Sequence, residues 1–138
     1  MKQIKHYAIS SLLILLAACS NAQQPSFTGT WSYSTQAGDT VGGKEIVLKQ
    51  TGNVVTGEWS EGISTGSVGN GKAKGYIKDG KLFLGYCSIS GTEYKTCPEY
   101  EEGKSYFIIK NNKMIEYYLV NKGDGSTYKQ GDNFILIK

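Results

Sequence analysis

Lys72-Ala73-Lys74-Gly75-Tyr76-Ile77-Lys78-Asp79-Gly80-Lys81-Leu82-Phe83-Leu84-Gly85-Tyr86-Cys87-Ser88 is the stretch that decides the fold. Asp79-Gly80 is a strong tight-turn signal, because both residues tolerate the positive backbone angles that a two-residue hairpin demands. It predicts strands over 72–77 and 81–88. The same grammar extends outward in both directions: short runs of β-favouring residues punctuated by Gly, Asn and Asp, with no segment of helical period. Strands are expected over 29–35 (with Trp31 and Tyr33 on one face), 45–50, 54–61 (carrying Trp59), 104–110, 113–121, and from about Tyr128 or Asn133 to the end of the chain. Gly52-Asn53, Asn111-Asn112 and Lys122–Ser126 are the intervening turns. The run Gly62–Gly71 reads as a glycine-rich loop, which could also cradle an anion with its backbone N–H groups. Residues 89–102 read as a long acidic loop. Eight strands joined by short hairpins predict an all-β, eight-stranded up-and-down antiparallel barrel, since closure removes exposed edges; a two-sheet sandwich is the alternative.

Far upstream, Lys2 and Lys5 precede an apolar run from Ala8 to Ala18 that is too short to span a bilayer, for which about 20 residues are needed, but suits an export signal. It ends in Leu16-Ala17-Ala18-Cys19. This resembles the lipobox of bacterial lipoproteins, which implies removal of residues 1–18 and a lipid anchor on Cys19. Several acyl chains hold a protein on a membrane where one does not. Ser20, in place of Asp, points to the outer membrane in a Gram-negative host. The expected organisation is a signal over 1–18, the lipidated Cys19 and a polar tether over 19–27, and one β domain over 28–138. The expected location is the cell envelope, facing the periplasm or the surface.

Composition narrows the chemistry. Every one of the 15 basic residues is lysine, and the single histidine, His6, lies in the signal. Without histidine the domain lacks Ser-His-Asp and Cys-His catalysis and imidazole-ligated zinc. Without arginine it lacks the bidentate clamp for phosphate or guanine edges, and no basic stripe suggests nucleic acid. Cys87 and Cys97 remain as an even pair in an oxidising compartment and read as a disulfide, worth about 3 kcal/mol by loop closure. Paired carboxylates are the remaining catalytic chemistry. Glu93, Glu99, Glu101 and Glu102 in the acidic loop, and Glu58 and Glu61 beside Trp59, also read as solvated surface. The domain is therefore expected to be non-enzymatic, with no catalytic residues, metal or cofactor.

Three short motifs carry further resemblances. Gly29-Thr30-Trp31 is similar to the Gly-x-Trp start of lipocalins and avidins, which implies a Trp31 packed across a closed barrel end. Ser90-Gly91-Thr92-Glu93-Tyr94 matches Ser-Gly-x-x-Tyr. Tyr117-Tyr118-Leu119-Val120-Asn121-Lys122-Gly123 resembles Tyr-x-x-x-Thr-Lys-Gly, with Asn121 in place of Thr. Together they look like the motifs of the membrane-bound and periplasmic inhibitors of c-type lysozyme. That likeness implies that Ser90 and Lys122, with Gly91 and Gly123 in their loops, enter an enzyme cleft while Tyr94 and Tyr117 support them. The expected function is a non-catalytic protein-binding module of the envelope, an inhibitor or immunity factor against a cell-wall-degrading enzyme. The alternatives are a lipocalin-like carrier, its small apolar ligand held by Trp59, Phe83, Tyr86, Phe107 and Leu119, and a structural lipoprotein.

Overall fold

A computed structural model of the chain describes residues 24–122 and 125–137. The expected signal over 1–18, Cys19 and Gly123 lie outside the described residues. The strands are β1 Gly29–Ala37, β2 Thr40–Thr51, β3 Val54–Ile63, β4 Gly66–Lys78, β5 Lys81–Ser90, β6 Glu101–Glu102, β7 Ser105–Lys110, β8 Lys113–Lys122 and β9 Gly125–Ile137. No helix occurs among the described residues. Neighbours in sequence pair antiparallel, β9 returns to β1, and β5 pairs with both β4 and β7. The result is a closed eight-stranded up-and-down barrel, with β6 as one extra two-residue strand beside β5. All eight expected strands are present, and the barrel, not the sandwich, is the architecture.

The turns form where the sequence marks them. Asp79 and Gly80 both take positive φ (51° and 72°), as do Asn111 and Asn112 (52° and 58°). These are the angles that let a two-residue link match the twist of its strands.

Alternation along each strand sorts side chains to the inside or the outside. One end of the barrel is packed solid by Phe27, Trp31, Leu48, Val55, Ile77, Leu82, Met114 and Phe134, all buried. Trp31 sits across this closed end and donates its indole N–H to the carbonyl of Phe27 at 2.8 Å, while the amide of Phe27 donates to Gln50 Oε1 at 2.9 Å. The segment leading into β1 is thereby tied to the closed end. Each fully buried aromatic here contributes about 2–3 kcal/mol through the surface it removes from water.

The glycine-rich run is not the loop that its composition suggests. It is mostly strand: β3 extends to Ile63, a two-residue turn follows, and β4 begins at Gly66. Glycine is needed there because the Trp59 indole lies against β4. A Cβ on Gly71 would stand 2.7 Å from Trp59 Nε1 and collide with the Cys87 carbonyl, and one on Gly69 would stand 3.3 Å from the indole edge. Trp59 donates its N–H to Cys87 O at 3.0 Å, pinning β3 across β4 to β5.

Gly71→Ala should therefore destabilise the chain by about 1–3 kcal/mol, the usual cost of overpacking a filled interior. Gly62→Ala, whose added Cβ meets nothing closer than 3.4 Å, should change stability by less than about 0.5 kcal/mol. Urea denaturation of both variants tests the difference.

Candidate functional site

The other end of the barrel is open. A cavity of about 370 Å³ lies there, lined by residues that include Tyr33, Lys44, Glu61, Tyr86, Glu93, Tyr94, Ser105, Phe107, Glu116, Tyr118, Leu119, Asp132 and Phe134. Strand parity places the first polar ring: Tyr33 on β1 pairs with Lys44 on β2, which pairs with Glu61 on β3. One step deeper, Trp31, Ile46 and Trp59 form the apolar row beneath them.

Lys44 organises one wall. Its ammonium stands 5.1 Å from the Trp59 ring and 5.3 Å from each of Tyr86 and Tyr94. It donates to the Tyr94 hydroxyl at 3.0 Å, and Glu61 and Glu93 lie 3.6 and 3.7 Å away. Aromatic faces and carboxylates together compensate the desolvation of a lysine whose side chain is only 12% exposed. Burial alone would lower its pKa; Tyr94, Glu93 and Glu61 outweigh it and leave the ammonium held above its usual range. Burial and the approach of Glu93, within hydrogen-bonding reach, push the Glu61 carboxyl up against the opposing pull of Lys44.

Tyr94 and Glu93 arrive from the loop after β5. The Cys87–Cys97 disulfide folds this loop back onto the strand. Buried Ser88 holds it further: Ser88 N donates to Lys95 O at 2.8 Å, Cys97 N to Ser88 O at 3.0 Å, and Tyr94 N to Ser88 Oγ at 3.2 Å. The Tyr94 ring stacks on Tyr86 with centroids 5.0 Å apart and meets Trp59 edge-on at 5.2 Å.

Glu116 and Asp132 form the opposite wall. The pairing of β8 with β9 slips at this point, with Ile115 opposite Asn133 and Tyr117 opposite Gln130. Bulges re-aim side chains in this way. Gly131 makes room, since a Cβ there would stand 3.1 Å from the Tyr118 ring and 3.4 Å from Glu116 Oε2. Further register shifts fall at Glu61/Gly62 and at Asn70/Gly71, so the irregular pairings gather at the open end. Burial raises the Glu116 carboxyl and Asp132 adds to the effect, whereas a hydrogen bond from Ser105 and the charge of Lys44 oppose it. Burial, then Asp132, pushes Tyr33 up to about 12. Tyr86, 5% exposed, is held well above the usual phenol range by burial; it lines the cavity, and its hydroxyl, without a hydrogen-bond partner among the described residues, stays open to the solvent there.

The residues singled out from the sequence are divided by the structure. Tyr86, Phe107 and Leu119 line the cavity, whereas Trp59 does not reach its lining and stands behind Lys44, 5.1 Å from the ammonium. Phe83 is a correction. It has the opposite parity to Leu82, Leu84 and Tyr86 on β5 and lies on the outer wall, stacked on Tyr76 at 5.3 Å. Ser90 is exposed at the open end of β5, opposite Asn70, and Gly91 follows with φ 92° beside Val68 O. Tyr94 is turned inward to Lys44 instead of bracing an exposed tip. Tyr117 packs on the outer wall, stacked on Tyr106 at 5.3 Å. The backbone of Lys122 ends β8 opposite Gly125, at the same end of the barrel as Ser90. Lys44, Glu116 and Asp132 were missed. Lys44 shares its parity with Ile46 and Leu48, which was the available signal, whereas the bulge that aims Glu116 and Asp132 leaves none.

No protein-family model matches the chain. Comparison with curated proteins finds no match, and comparison with solved structures finds none either.

The raised Glu116 carboxyl has a consequence for stability. The folded state favours its neutral form, so this group stabilises the fold below the ordinary carboxylate range, and the contribution is lost as pH rises through the raised value. Glu116→Gln should accordingly raise the melting temperature at pH 7, and the gain should vanish as pH falls below about 4. Thermal melts of the two chains across that range check the sign.

Proposed function

We propose that this chain is a lipid-anchored, non-catalytic binding protein of the bacterial cell envelope that receives its ligand at the open end of the barrel. The observation carrying the proposal is the half-filled interior: apolar and solid at one end, with a cavity walled by carboxylates and tyrosine hydroxyls at the other. Small-ligand sites commonly occupy ~300–1,000 Å³, and this one is within that range. Its lining argues for a polar, positively charged guest and against the apolar ligand of a lipocalin-like carrier, because an apolar guest would strip water from carboxylates without pairing them.

The tether supports the same reading. Phe27 is bound to the closed end, so a lipid on Cys19 would turn that end toward the membrane and the mouth away from it. Cys19→Ser should abolish labelling of the protein by radioactive palmitate. Retained label would remove the anchor from the proposal.

A protein-binding reading has one specific observation in its favour: Ser90 and the backbone of Lys122 share the open end. In this reading the partner is a cell-wall-degrading enzyme. Titrating the full chain, in neutral detergent, against a c-type lysozyme tests it. Stoichiometric loss of muramidase activity is the expected result, with Lys122→Ala weakening inhibition while leaving the melting temperature unchanged. Absence of inhibition at micromolar protein would rule out this enzyme as the partner.

A further inference from the structure

Four carboxylates, Glu61, Glu93, Glu116 and Asp132, line the cavity against two lysines, Lys44 and the exposed Lys104. Lys44 is engaged by Glu61, Glu93 and Tyr94. Glu116 and Asp132, across the cavity, make no salt bridge among the described residues. Asp132 is exposed at the mouth, but Glu116 is half-buried, and holding a carboxylate there without an ion-pair partner is costly. Tyr86 adds an independent sign. Its side chain is almost wholly buried and lines the cavity, and its hydroxyl, which still reaches the solvent of the cavity, has no hydrogen-bond partner among the described residues.

The kind of cation follows from geometry. No group of three or more acidic, Cys or His side chains among the described residues is close enough to hold a metal ion. The negative charge is spread around a cavity instead of converging on a point, which suits an organic cation. The interior already demonstrates how it holds one, for the Lys44 ammonium rests among the faces of Trp59, Tyr86 and Tyr94 with carboxylates alongside. Glu116, Asp132, Tyr33 and the other side of Tyr86 repeat those ingredients on the opposite wall.

We infer that the open end of the barrel binds an alkylammonium group, its charge paired with Glu116 and Asp132 and its N–H donated to the Tyr86 hydroxyl. This rests on the reading that the open end is the binding end, and it names the chemistry of the guest. The group comes either from a free amine or from a lysine side chain of a docked protein.

The test is calorimetric titration of the full chain in neutral detergent, at low salt and pH 7. The probes are 1,4-diaminobutane, its neutral isostere 1,4-butanediol, Nα-acetyl-lysine amide and calcium chloride. Saturable binding of the diamine without binding of the diol is expected. Glu116→Gln and Asp132→Asn should each weaken it about tenfold or more, as loss of a charged hydrogen bond does, and Tyr86→Phe by a smaller factor. Each variant must keep the wild-type circular dichroism spectrum; because Asp132 is exposed, Asp132→Asn provides a reading independent of core packing. Binding of the lysine amide alone would support the inference and assign the source to a protein side chain. Equal binding of diol and diamine, or unchanged affinity in both carboxylate variants, would overturn the ammonium while keeping the open end as the binding end. Calcium binding in place of either amine would likewise overturn it. No binding of any probe, together with no effect on lysozyme, would overturn both readings.

Discussion

The Trp59 indole lying across the glycines of β4 is the contact on which both halves of the barrel depend. Its N–H fastens β3 to the Cys87 carbonyl of β5, across the intervening strand. Below it the interior closes over aliphatic and aromatic side chains. Above it the ring faces the Lys44 ammonium, which lines the cavity. The glycines at 69 and 71 serve this one ring: any side chain at 71 would displace it, and with it the face against which Lys44 rests. Packing and site thus share a single wall.

Much of the fold was legible before any coordinates. Asp79-Gly80 and Asn111-Asn112 announced their hairpins through residues that accept positive φ, and each of the eight expected strands is present. What misled was glycine. In the run from Gly62 to Gly71 it signals close approach to an indole, yet composition cannot separate that from a loop. Phe83 misled differently, since it and Tyr86 have opposite parity and no regular strand can aim both inward. The site was far less legible. Tyr86, Phe107 and Leu119 were found by their apolar character, whereas the charged lining was not. Glu116 and Asp132 reach the cavity through a slip in strand pairing, and a pairing slip depends on partners distant in sequence.

The polar mouth runs against the stability of the domain. A closed barrel of this size is most stable when its interior is filled throughout, and side chains fill the interior of many small barrels. Here Glu116 and Glu61 are retained with carboxyls pushed above their usual range by burial. Bulges and a disulfide-held loop then fix the surrounding groups in place. Destabilising groups held in a rigid frame are the ordinary signature of a functional surface.

Closure of the sheet sets the manner in which anything can be recognised. The seam is short where β9 returns to β1, with only Ile135–Ile137 opposite Thr30–Ser32, whereas β2 to β5 are joined along their length. Over that half of the wall a visiting peptide cannot be read by adding itself to the sheet, the route that open-edged domains provide. Recognition there is left to side chains, and so to their charge, shape and protonation. Specificity in such a molecule can be rewritten by a few substitutions around the mouth while the hydrogen-bonded wall stays as it is, and relatives sharing this wall would be free to differ in what they hold.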